Sequence, residues 1–336
     1  MKRLLLAAIS SLALIAPISF AEPLKVITSF SILEDFAENI GKDKVTVESI
    51  IQRDQDAHSF EPTPKDILKI QNADVVILNG ADFDNWLARI LMANKYEGVI
   101  INASQNVPLL AYGDHGHDHD HDHDHDHDHD HNHDHDHDHD HDHDHDHDHD
   151  HDHDHDHDHG EFDPHIWQNP ENVIIMTKNI EEGFTLASPE NAAYFSNNFN
   201  QYKQELEAVN QYAKAKLNLN TEPHLMVLHH SFGYLAAHYD LHFVAVSNIN
   251  PLAEPSAKKM AELYQLVKEE NIRAIFSENI APSRFITTLA KDLKLDNGGI
   301  LYSDALTKTA PANTYLGMFK YNIDQIAKVL ENASKE

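Results

Sequence analysis

Residues 114–159 can enter no hydrophobic core, and the fold has to be built around them. Every odd position from His115 to His159 is His. Every even position from Asp118 to Asp158 is Asp except Asn132, so 46 residues hold 23 His and 21 Asp. A run without apolar side chains gains nothing by burial to offset the entropy of ordering it, so a solvated, disordered insert is expected. Neutral imidazole is the commonest metal ligand and suits Zn, Cu and Ni. A dense His tract therefore reads as a low-affinity metal collector. The bland alternatives are a tag or an acidic linker. A tag would sit at a terminus, and a linker has no use for imidazole at every second place. A floppy chain binds weakly and exchangeably, so a separate ordered site is expected.

The chain opens Met1-Lys2-Arg3, runs apolar from Leu4 to Phe20 and reaches Ser19-Phe20-Ala21. A basic start, an apolar middle and a small-x-small end predict a signal peptide, residues 1–21. The apolar run is short of the roughly 20 residues of a membrane span and contains Ser10, Ser11 and Pro17. The sequence has no Cys, which excludes disulfides and thiolate ligands. It also leaves nothing to be lipid-modified. The expected location is the periplasm of a Gram-negative cell, free of a lipid anchor. The formal net charge is −31, of which the tract supplies −21. The remainder is mildly acidic, with no basic patch for nucleic acid or anionic lipid.

Periodicity alternates strand with helix. Strands are predicted at Leu24–Thr28, Val45–Ile51, Val75–Leu78 and Val99–Ile101, with helices between them. Beyond the tract, helices are predicted at Pro170–Leu186 and Pro189–Leu217. The second has no Gly or Pro after its first turn, so it reads as one helix of about 40 Å. The second half repeats the first in kind. Its strands are Leu225–Leu228, His242–Val246, Ile272–Phe276 and Gly299–Tyr302, and a helix at Thr314–Leu330 ends it. Such alternation implies an α/β fold of parallel sheets, about four strands in each half.

Seven His lie outside the tract: His58, His165, His224, His229, His230, His238 and His242. Ligands in open α/β sheets sit beyond the carboxyl ends of strands. His58, His165, His229, His230 and Asp304 follow strands and share that side. His224 and His242 sit at strand starts on the opposite rim, and His238 is late in a helix. A lone loop His is more often unliganded, but several from both halves on one rim point to a shared metal.

Several segments carry a family resemblance. They are Asp56-Ala57-His58-Ser59-Phe60-Glu61-Pro62, Asp163-Pro164-His165-Ile166-Trp167, His229-His230-Ser231-Phe232-Gly233-Tyr234, Ile275-Phe276-Ser277-Glu278 and Leu301-Tyr302-Ser303-Asp304. With them the chain resembles the periplasmic metal-binding proteins that feed ABC importers, and most closely their zinc branch. That resemblance implies two α/β lobes joined by a long backbone helix, with the metal in the interlobe cleft. The expected division is a first lobe over 22–187 with its loop 114–159, a linking helix over 188–217 and a second lobe over 218–336. Carried over by position, His58, His165 and His229 are the imidazole ligands and Asp304 the fourth. Water or another carboxylate is the alternative for the fourth position, and His230 is the alternative to His229. Glu278 is a possible supporting group, with an ordinary surface Glu as the plainer reading.

Three imidazoles and one oxygen suit tetrahedral Zn²⁺. The expected function is capture of Zn²⁺ by a monomer and its delivery to a permease in the inner membrane. A manganese or other divalent-metal carrier of the same class is the near alternative, since Mn²⁺ prefers more carboxylate, such as Glu where this chain has His229. A zinc hydrolase is the alternative from another class. The chain shows no HExxH or Gly-x-Ser-x-Gly motif, and the nearest candidate base is Glu61.

Overall fold

The two halves repeat one sheet topology. The computed structural model describes residues 22–111, 161–218, 224–247, 256–280 and 283–333. The expected signal peptide and the His/Asp tract lie outside the described residues. Strands β1 (Leu24–Phe30), β2 (Val45–Ile51), β3 (Val75–Leu78) and β4 (Val99–Asn102) form a parallel sheet in the order β2-β1-β3-β4. Strands β5 (His224–His229), β6 (Phe243–Ser247), β7 (Ile272–Glu278) and β8 (Asp296–Leu301) form a second one in the equivalent order β6-β5-β7-β8. The helices are α1 (Ser31–Gly41), α2 (Pro64–Gln71), α3 (Asn85–Ala93), α4 (Pro170–Ala187), α5 (Ala192–Leu217), α6 (Gly233–Tyr239), α7 (Ala257–Glu269), α8 (Ser283–Leu293) and α9 (Tyr315–Ala333).

The central strands are apolar on both faces, as parallel strands covered by helices must be. Alternate residues divide between two cores. Val26, Leu225 and Val227 face a cluster shared by both halves, which also holds Phe30, Phe36, Trp167, Phe232, Tyr315 and Phe319. Ile27 and Val76 face an outer cluster with Ile70 and Leu87. Met226 and Leu228 face the corresponding one with Leu263, Ile286 and Leu289. The side-chain period of two therefore builds one common interior and two flanking ones.

Local signals set the helix starts. Pro64 opens α2, and Thr63 and Asp66 cap it reciprocally: Asp66 N donates to Thr63 Oγ1, and Thr63 N donates to Asp66 Oδ2 at 3.0 Å. Asn169 caps α4 by accepting from Glu171 N at 2.9 Å. The long helix begins later than its sequence predicts. Pro189–Asn191 form a 3-10 turn before α5. Ser188 does not cap the turn, because its hydroxyl donates to Glu190 Oε1 at 2.6 Å and accepts from Asn191 Nδ2 at 2.8 Å. At 26 residues α5 is about 39 Å long. It packs against α1 and α4 of the first half and α9 of the second.

Strand β8 begins earlier than expected, at Asp296 rather than Gly299. Its polar start Asp296-Asn297-Gly298 imitates a loop. The ladder to β7 shifts between Ile275 and Phe276, where Gly299 adopts φ +96°, a conformation Gly tolerates best.

Candidate metal centre

The carboxyl ends of both sheets converge on one buried point. His58 lies in the loop after β2, His165 in the loop entering α4, His229 is the last residue of β5, and Asp304 follows β8. One ligand atom from each lies within 4.8 Å of all the others. His58 Nε2 is 3.4 Å from His165 Nε2 and 3.2 Å from Asp304 Oδ2. His229 Nε2 is 3.0 Å from Asp304 Oδ2, and His165 Nε2 is 3.7 Å from Asp304 Oδ1. Ligands about 2.0 Å from one tetrahedral ion lie about 3.3 Å apart. Three of these separations thus match the edges of such a tetrahedron, and the His165–Asp304 one is wider. Among the described residues, no other group of His and carboxylates meets this condition.

The sequence-predicted residues separate along the line their topology draws, except His230, which topology grouped with the ligands. The structure brings His58, His165, His229 and Asp304 together. His230 instead lines a cavity between α6 and strands β5 and β6. His238 sits on α6 beside Asn210 Oδ1 at 3.1 Å. His224 and His242 lie on the opposite rim, and Glu61 is exposed.

Each buried imidazole is oriented from behind. His165 Nδ1 hydrogen-bonds Asp163 Oδ1 at 2.7 Å, and the same oxygen accepts from His165 N at 2.9 Å. His229 Nδ1 lies 2.7 Å from Glu278 Oε2. A carboxylate at Nδ1 favours the proton there and leaves the Nε2 lone pair for an ion. Glu278 is not the surface residue its sequence position suggests. It is 1% exposed, and its Oε1 accepts from the amides of Leu228 and His229 at 3.0 and 3.1 Å. Asp163 is a functional residue the sequence reading missed. Its signal was an acid two positions before His165.

Electrostatics describe a site short of positive charge. Burial opposes a charged His229, but Glu278 and then Asp304 more than offset this and raise its pKa well above 6.5. Burial would raise Asp304, yet His229 and His165 hold it well below the usual carboxylate range. Burial would likewise raise Asp163, and His165 beside it keeps it low. His229 Nε2 and His58 Nε2 both crowd onto Asp304 Oδ2, at 3.0 and 3.2 Å. A shared cation would satisfy the carboxylate and both ring nitrogens at once. The side chains of His165, His229 and Asp304 are fully buried, whereas that of His58 is 13% exposed. His58 is therefore the ligand facing the way in, with the Phe83 ring edge-on at 5.5 Å.

Three clamps hold the halves around this point. Trp167 Nε1 and Gln168 Nε2 both donate to Ser303 O, at 2.9 and 3.0 Å, fixing the backbone before Asp304. Arg53 Nη1 donates to Thr307 O and Asn313 O at 3.3 and 2.7 Å. The Tyr234 hydroxyl donates to Asp163 O and accepts from Leu110 N, both at 3.0 Å.

The family model described as "ZnuA: Zinc-uptake complex component A periplasmic" matches residues 26–329. The high-affinity zinc uptake system protein ZnuA of Bacillus subtilis is 29% identical over 314 residues, covering 92% of this chain and 88% of that protein. The iron-binding protein YfeA of Yersinia pestis is 24% identical over 316 residues, covering 93% and 88%. The solved periplasmic zinc binding protein TroA of Treponema pallidum superposes with a TM-score of 0.73 at 21% identity, over 92% of this chain and 99% of that one.

Proposed function

Since this chain belongs to the family of periplasmic zinc-uptake component A proteins, we propose that its cleft captures Zn²⁺ and delivers it to the permease of an ABC importer. The chain is the substrate-binding component of a metal importer and not an enzyme. In this reading His58, His165 and His229 coordinate through Nε2 and Asp304 through its carboxylate. The observation that carries it is the convergence of three imidazole nitrogens and one carboxylate within 4.8 Å of one another, with three of the separations at 3.0, 3.2 and 3.4 Å. Imidazole-rich, four-coordinate sites suit Zn²⁺, whereas Mn²⁺ favours oxygen donors and six-coordination. A relative named for iron shares the family, so the cargo has to be tested.

The proposed lobes are 22–187 and 218–336, with 188–217 linking them in a monomer. With no Cys in the sequence, the protein acts without a lipid anchor. The tract binds zinc loosely and raises its concentration near the cleft, at the millimolar effective concentrations typical of short tethers.

Competition titration of the metal-stripped full-length chain with Zn²⁺, Mn²⁺ and Fe²⁺ tests the cargo. Zn²⁺ binding at least 100-fold tighter than the other two is expected, and equal or tighter Mn²⁺ or Fe²⁺ binding overturns the zinc reading. A chain lacking 114–159 should keep one tight site and lose only weak ones. Loss of the tight site would refute the division of labour.

A further inference from the structure

At the other end of the second sheet, two imidazoles lie side by side and a carboxylate reaches one of them. His224 opens β5 and His242 immediately precedes β6. Leu225 N donates to His242 O at 2.9 Å, which sets the two His side by side on parallel strands. Their ring centroids are 4.8 Å apart with 34° between planes. Glu270, the residue after α7, places Oε2 3.1 Å from His224 Nδ1. That separation is close to the roughly 3.3 Å between two ligands of one tetrahedral ion. His224 and Glu270 are 19% and 23% exposed, and His242 is open to solvent. His224, His242 and Asp240 border a cavity of about 260 Å³ between α6 and strands β5 and β6.

We propose that His224, His242 and Glu270 form a second site for a borderline divalent cation of the Zn²⁺ type. Two imidazoles with one carboxylate match the ligand preferences of Zn²⁺ and Ni²⁺ rather than Mg²⁺ or Ca²⁺. Glu270 approaches His224 from one side, and rotation of the exposed His242 ring closes the set. Three protein ligands leave at least one position to water, which makes the site weak and exchangeable. Five residue steps along β5 separate His224 from His229, about 17 Å, so the two sites do not share an ion.

The test is carbethoxylation of histidines in the full-length chain, read residue by residue by peptide mass spectrometry while Zn²⁺ rises to millimolar. His58, the partly exposed cleft ligand, reports the cleft in the same sample. His224 and His242 are expected to lose reactivity together, at least fivefold, at a higher Zn²⁺ concentration than the cleft. Mg²⁺ at equal ionic strength should protect neither. The change His242→Ala should abolish the Zn²⁺ dependence at His224, and Glu270→Gln should move it to about tenfold higher Zn²⁺. Both changes lie at solvent-accessible positions, and unchanged cleft protection shows that each variant is folded. Flat reactivity at His224 and His242, protection by Mg²⁺, or His224 protection that survives both substitutions would overturn the proposal.

Discussion

Glu278 and His229 are tied to each other twice, through backbone and side chain. Glu278 Oε1 accepts from His229 N at 3.1 Å, while its Oε2 lies 2.7 Å from His229 Nδ1. Adjacent strands β5 and β7 thus fix the imaging direction of one imidazole with one carboxylate. Loss of a group that orients a metal-bound His costs about 10–100-fold in affinity. Glu278→Gln is expected to weaken zinc binding within that range and keep the fold, measured by chelator competition and circular dichroism. Glu278→Ala strands two buried N–H groups and should also lower stability by about 1–3 kcal/mol. Undiminished affinity in the Gln variant would show that His229 needs no such support.

His229 and His230 are neighbours with different surroundings. His229 faces Asp304 at 3.0 Å, whereas His230 borders the cavity beside α6. His229→Ala should weaken zinc binding by at least 100-fold, and His230→Ala by less than threefold. His229→Glu should raise Mn²⁺ affinity relative to Zn²⁺, because it exchanges a nitrogen donor for an oxygen donor. Equal losses in the two Ala variants would contradict the assignment.

Much of this was legible in the chain, because most of its strands are apolar runs and helices α2 and α4 open on Pro with a side-chain cap before it. The alternation of elements placed His58, His165, His229 and Asp304 on one side of the sheets, and His224 and His242 on the other. The failures share a physical cause. Glu278 reads as an exposed strand end because its burial depends on β5 lying beside β7, a pairing that skips β6. The start of β8 is hidden because Gly298 serves tertiary packing: a side chain there would strike the Phe276 ring. The 3-10 turn before α5 depends on which partners Ser188 selects. In each case a nonlocal or competing contact overrides a local pattern.

Asp35 links three helices away from the cleft. Its Oδ2 accepts from Tyr315 N at 3.2 Å, and from Tyr202 Oη and Asn39 Nδ2 at 3.3 Å each. Burial pushes its pKa up to about 6 from 3.8, with the Tyr315 amide opposing and Glu38 reinforcing. A raised carboxyl pKa means that the folded state prefers the neutral form. Its contribution to stability is complete below about pH 3.8 and is lost as pH rises through about 6. All three donors converge on one oxygen, which an Asn carbonyl can replace. Asp35→Asn should therefore stabilise the protein at pH 7.5 by about 1–2 kcal/mol and give little or no gain at pH 4. Thermal unfolding at the two pH values checks this, and a gain that grows toward acid pH would reverse the sign.

Metal and proton compete at His229. Its pKa stands well above 6.5, because Glu278 and Asp304 outweigh the cost of burial. The metal-free protein therefore holds a proton on this imidazole to higher pH than a free imidazole would, and a cation must displace it to reach Nε2. The affinity loss should begin above pH 6.5, by about tenfold per pH unit for one released proton. Calorimetry of the first Zn²⁺ equivalent at pH 7.0, in buffers of different ionisation enthalpy, should show release of about one proton. Glu278→Gln removes the largest influence holding that proton, so the variant should release fewer at the same pH. Heats independent of buffer in the native chain would mean that His229 is already neutral and that the carboxylates do not charge it.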